Sequence, residues 1–145
     1  MITNEVQYRL TKRHLRSFEE TLADLRADSE PDEMKQLQIA AAASQADDLR
    51  VELRDYEKLA SGDVSVLEAP TLAGIATLLI QARVARGWTQ ARLAQALGVA
   101  EQQIQRYESS EYRSASLARI CDVAKALRVD VTETARLRPL GAVSA

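Results

Sequence analysis

The chain has 145 residues, a formal net charge of -2, one cysteine and one histidine. That is material for one domain or two small ones, and it excludes a large multidomain enzyme. Ala, Leu, Arg, Glu and Lys supply 73 of the 145 residues, a composition typical of long helices, while five Gly and three Pro leave little punctuation for a many-stranded sheet. Charge is divided along the chain: residues 1–62 carry nine basic and thirteen acidic side chains, residues 71–145 ten basic and six acidic.

Cys121 alone cannot close an intramolecular disulfide, and with His14 it leaves too few nitrogen and sulfur donors for an ordinary zinc site. No metal and no cofactor is expected. The opening Met1, Ile2, Thr3, Asn4, Glu5 lacks the apolar core of a signal peptide. The most apolar run, Leu72 to Ala82, is interrupted by Thr77 and Gln81 and falls well short of the roughly twenty residues needed to cross a bilayer. These features predict a cytoplasmic protein with no membrane association.

From the N-terminus, Tyr8, Thr11, Leu15, Phe18, Leu22 and Leu25 recur at spacings of three and four, which predicts a helix from about Thr3 to Ala27 with one narrow apolar seam. Ser29, Glu30, Pro31 and Asp32 read as the start of a second helix, with Ser29 as its cap and Pro31 in its first turn. Its seam is Ile39, Ala42, Ala46, Leu49, Leu53, Tyr56 and Ala60. Two such helices joined by a short turn imply an antiparallel hairpin over 1–62. So small a hairpin should also associate with a second copy, the following domain or a partner. Residues 63–70, running from Asp63 to Pro70 just past the presumed helix cap at Gly62, form a connector.

Residues 71–130 break into short helices. Ile75, Leu79 and Ala82 mark one ended by Gly87; Thr89 caps another carrying Leu93, Ala94 and Leu97 and ended by Gly98. A third runs from about Ala100 to Ser109 with Ile104 and Tyr107 inward. Ser116 caps a fourth, with Leu117, Ile120, Cys121, Ala124 and Leu127 inward. Residues 131–145, with Pro139 and Gly141, form a loosely ordered or partly helical tail.

Catalysis has little to stand on. His14 and Cys121 are far apart in sequence, no serine has an identifiable base, and no phosphate-binding glycine loop is present. The informative run is Trp88, Thr89, Gln90, Ala91, Arg92, Leu93, Ala94, Gln95, Ala96, Leu97, Gly98, Val99, followed by Ile104, Gln105, Arg106, Tyr107 and Glu108. It resembles the helix-turn-helix of the XRE (Cro/CI-like) family over about Leu72 to Val129. Ala94 permits close helix approach, Gly98 relieves the turn, and Leu93, Leu97, Val99 and Ile104 form a small core.

The resemblance implies an all-α chain, an N-terminal antiparallel hairpin followed by a lambda-repressor-like domain, acting as a transcriptional repressor on a double-stranded DNA operator and not as an enzyme. In that family the helix beginning near Ala100 enters the major groove. This nominates Gln102, Gln103, Arg106 and Glu101 as base readers, and Thr89, Gln90, Arg92 and Arg113 as backbone contacts. Arg83 and Glu108 match the family's structural ion pair. The acidic hairpin lies outside the minimal family domain and either makes a homodimer or binds a basic toxin through residues 1–62, as in HigA-type antitoxins. A phage or mobile-element regulator without a toxin, and a protein-docking adaptor, are the alternatives.

Overall fold

The computed structural model describes residues 1–141, which contain six α-helices, one 3-10 turn and no strand. The helices are α1 (Glu5–Arg26), α2 (Glu33–Ala60), α3 (Ile75–Ala85), α4 (Gln90–Leu97), α5 (Glu101–Ser109) and α6 (Leu117–Ala126). The 3-10 turn, Leu72–Gly74, is capped by Thr71 and leads into α3.

Helix α1 starts where Asn4 accepts the Gln7 backbone N–H at 2.9 Å, while the Gln7 side chain accepts the Thr3 N–H at 2.8 Å. This reciprocal arrangement satisfies donors that a helix start leaves free. Its partner α2 is capped by Asp32, which accepts from Lys35 N–H at 2.8 Å, and not by Ser29. Pro31 consequently precedes the cap instead of occupying the first turn. The carboxylate of Asp28 is also occupied in this turn, accepting from Glu30 N–H and pairing with Lys35.

The two seams face each other across the hairpin. Leu22, Ala46 and Leu53 are buried, and Tyr8 stacks on Tyr56 with centroids 5.0 Å apart. Cross-links at the rim are polar: the Tyr8 hydroxyl donates to Glu57 at 2.6 Å and Arg50 bridges Glu19 and Asp47. Toward the end of α2 the buried position is Leu59, while Ala60 is exposed. Helix α2 packs on α3 as well as on α1.

The remaining helices enclose one core, built on Leu79, Leu93, Ile104, Val123 and Leu127 with Tyr112 beside them. On α6 the inward residues are Val123 and Ala124, whereas Leu117 is 72% exposed and Cys121 is exposed. The expectation that both point inward is corrected by the helical frame. Val123, Ala124 and Leu127 fix the buried arc, and Cys121 falls well outside it at 100° per residue. Residues 131–141 contain no helix, with Leu137 and Leu140 almost fully exposed. Of the two expectations for this tail, loosely ordered or partly helical, the described part contains no helix, and Pro139 interrupts it; positions 142–145 lie outside the described residues. No helix among the described residues is long and apolar enough to cross a membrane.

Candidate nucleic-acid interface

Helices α4 and α5 meet through a tight turn in which Gly98 adopts φ 66, a left-handed conformation that costs glycine little. Thr89 caps α4, its hydroxyl accepting Arg92 N–H at 3.1 Å. Ala100 offers no side-chain cap to α5. Ile104 is fully buried and Glu108 nearly so, which fixes the inward arc of α5 and turns the opposite face outward.

Gln102 and Arg106 occupy that outward face and are both exposed. The other two nominated base readers stand elsewhere. Gln103 is half-buried on one flank of the inward arc. Glu101 lies on the other flank, where its carboxylate accepts from Gln105 Nε2 at 3.2 Å. With Gln105 it lines a cleft of about 450 Å3 whose far wall is Asn4, Glu5 and Val6. Sequence reasoning did not place the beginning of α1 beside the proposed reading helix. The separation along the chain is too great for any local pattern to reveal it.

Beneath this surface lies a buried polar network. Arg83 Nε and Nη2 donate to the two Glu108 oxygens at 2.6 and 2.7 Å, with each side chain 2% exposed. Arg83 also donates to the carbonyls of Trp88 at 2.8 Å and Thr3 at 2.6 Å. Gln90 Nε2 donates to the same carboxylate at 2.7 Å. Glu108 therefore accepts three bonds, and Arg83 ties α3, α5 and the start of α1 together. The fork geometry of guanidinium against carboxylate makes this the strong, charge-assisted form of the contact.

This network alters what the nominated backbone contacts can offer. The Gln90 side chain is committed to Glu108, leaving the free backbone N–H groups of α4's first turn as the donors that face outward. The Arg92 guanidinium carbon sits 4.7 Å from the centroid of the Trp88 ring, holding the cation over the indole beside that turn. Arg113 is exposed and pairs loosely with Glu111 at 3.1 Å, in a loop where Glu111 and Tyr112 both adopt positive φ. The exposed acids of the hairpin are unequal as well: Arg50 engages Glu19 and Asp47, whereas Glu20, Asp24, Asp48 and Asp55 remain exposed and outside that bridge.

The arrangement places the exposed side chains of Gln102 and Arg106 on one face of α5 and the Arg92 cation over Trp88 at the start of α4. No group of His, Cys, Asp and Glu among the described residues could hold a metal ion. No curated protein and no solved structure matches the chain. Residues 79–133, from within α3 to beyond α6, match the helix-turn-helix family model, so the C-terminal half of this chain carries a helix-turn-helix domain, the fold of a DNA-binding regulator.

Proposed function

We propose that the chain is a sequence-specific transcriptional repressor that binds a double-stranded DNA operator as a cytoplasmic homodimer, with α5 in the major groove. The observation that carries this reading is the pairing of Gln102 and Arg106 on the outward face of α5, opposite buried Ile104, within the matched segment. Gln can make a bidentate pair with adenine and Arg with guanine. The first turn of α4, with Thr89, Gln90 and Arg92, supplies phosphate contacts, and Arg113 a further one. One such unit covers a short half-site, so two copies spaced by about 34 to 36 Å of duplex are needed for an operator.

Gel shifts against the protein's own promoter test it. Gln102→Ala and Arg106→Ala should each reduce discrimination among operator variants by about 1–3 kcal/mol. Undiminished, still selective binding by the double variant would refute the assignment of this face.

The finer reading is an autoregulatory antitoxin whose hairpin, residues 1–62, holds a basic toxin, in the manner of HigA-type proteins. It is supported by the exposed acids Glu20, Asp24, Asp48 and Asp55, which offer a complementary surface. Because Thr3 is bonded to Arg83, removing residues 1–62 would damage both halves, and charge reversal is the cleaner test. Lys at those four positions should abolish protection from the neighbouring gene product on co-expression while sparing operator binding. Protection that persists, or a neighbouring gene that is harmless alone, leaves the plain repressor.

A further inference from the structure

The hairpin is acidic as a whole, yet its acids are not evenly spread. The first half of α1 carries Arg9, Lys12, Arg13 and Arg16 against Glu5 alone, and all five are exposed; the acids of α1 begin again only at Glu19. This basic half is the half that adjoins α5. Glu5 and Val6 line the same cleft as Glu101 and Gln105, and the Thr3 carbonyl bonded to Arg83 at 2.6 Å anchors them there.

On a helix, residues four, seven and eleven apart share a face. Arg9 follows Glu5 by four, Arg13 follows Val6 by seven and Arg16 follows Glu5 by eleven. The face of α1 that looks across the cleft at the reading helix therefore continues outward as a row of arginines. At 1.5 Å per residue this row extends about 16 Å beyond Glu5. Lys12 is turned aside toward the Tyr8 ring, 5.1 Å from its centroid, and Arg9 is paired with Glu5 at 3.0 Å in an exposed contact. Arg13 and Arg16 take part in no ion pair among the described residues.

We infer that the Arg9, Arg13 and Arg16 face of α1 is an accessory DNA-phosphate-binding ridge, which follows the duplex backbone past the edge of the groove occupied by α5. The inference rests on the DNA-binding reading above and names a surface outside the helix-turn-helix segment. A row of flexible guanidinium groups fits phosphates, which recur along a duplex and carry no sequence information. On α1 the proximal stretch thus follows DNA, while the acids Glu19, Glu20 and Asp24 lie toward the distal turn.

The test uses the full-length protein and random-sequence duplex of about three helical turns, titrated between about 50 and 200 mM salt. The variant Arg9→Gln, Arg13→Gln, Arg16→Gln keeps good helix formers at exposed sites, and Arg26→Gln, near the far turn, is the control. If each arginine neutralises one phosphate, the triple variant should lose about 2 to 3 from the slope of log affinity against log salt, at about 0.9 per contact. Arg26→Gln should leave the slope unchanged. Glu5→Gln, which frees Arg9, should tighten binding at low salt. If the wild-type chain binds no duplex, the DNA reading itself fails. If the wild type binds with a steep slope that the triple variant retains, DNA binding stands and the ridge is refuted.

Discussion

Glu108→Gln isolates the contribution of the buried network with almost no change of shape. The carboxylate accepts from Arg83 Nε, Arg83 Nη2 and Gln90 Nε2, at 2.6, 2.7 and 2.7 Å. An amide keeps one accepting oxygen and turns its NH2 group toward a donor, leaving Arg83 charged, 2% exposed and without its counter-ion. Removing one partner of a buried ion pair costs about 3–5 kcal/mol, because the other charge is left uncompensated. Against a typical total of about 5–15 kcal/mol, that is a large fraction of the stability of the domain. With a urea dependence of about 1–3 kcal/mol per molar, the unfolding midpoint should fall by about 1 M or more. Arg83→Met with Glu108→Leu should lose less than the two single losses together, since no lone charge remains. Urea titration followed by circular dichroism measures all five proteins: the wild type, Glu108→Gln, the two single variants Arg83→Met and Glu108→Leu, and their double. A Glu108→Gln midpoint equal to that of the wild type would refute the claim that this pair is held out of water.

The Tyr112 hydroxyl is buried without a hydrogen-bond partner among the described residues, so Tyr112→Phe should leave stability unchanged or raise it by about 1 kcal/mol, and a thermal melt showing a loss would point to a missing partner. Burial, with Glu108 nearby, holds the same phenol well above its ordinary value of 10.0. An acid whose folded-state value is raised leaves stability level below pH 10 and erodes it as pH climbs from there; urea midpoints should show this fall for the wild type and a weaker one for Tyr112→Phe. Ala100→Ser supplies the cap that α5 lacks and should add about 1 kcal/mol, read as a rise in melting temperature. Asp32→Ala should cost the hairpin about 1 kcal/mol by removing the bond to Lys35 N–H, whereas Ser29→Ala should cost little; the reverse order would restore Ser29 as the cap.

The helix boundaries were legible because the apolar spacing and the punctuation of this chain agree. Gly98 follows the last periodic residue of α4 and carries φ 66, and Thr89 and Ser116 accept the first-turn donors of α4 and α6. Where two candidate caps stand within a few residues, as at Ser29 and Asp32, residue type alone does not decide between them; the helix begins at Glu33, and Asp32 is the one placed to accept from Lys35 N–H. The inward face of α6 was misread for a related reason. Leu117 and Cys121 suit an apolar stripe, but Leu117 opens the helix at its exposed rim while Val123 and Leu127 face the core. Gln102 and Arg106 could be placed from the phase set by Ile104 alone. Glu101 could not, since its surroundings are made by Gln105 and by Asn4 to Val6.

Those long-range contacts give Arg83 a consequence that its match to a family pattern does not contain. A guanidinium has donors on three nitrogens, and two bonds to Glu108 with one to the Trp88 carbonyl already fix α3 against α5 and the turn before α4. The bond to the Thr3 carbonyl spends remaining capacity on the chain preceding α1, and Ile2, only 3% exposed, buries apolar surface next to it in sequence. Leu59 on α2 is buried where that helix packs on α3. The hairpin is thus seated by both of its open ends, one polar and one apolar. The arginine that holds α5 in place therefore also holds the start of the hairpin.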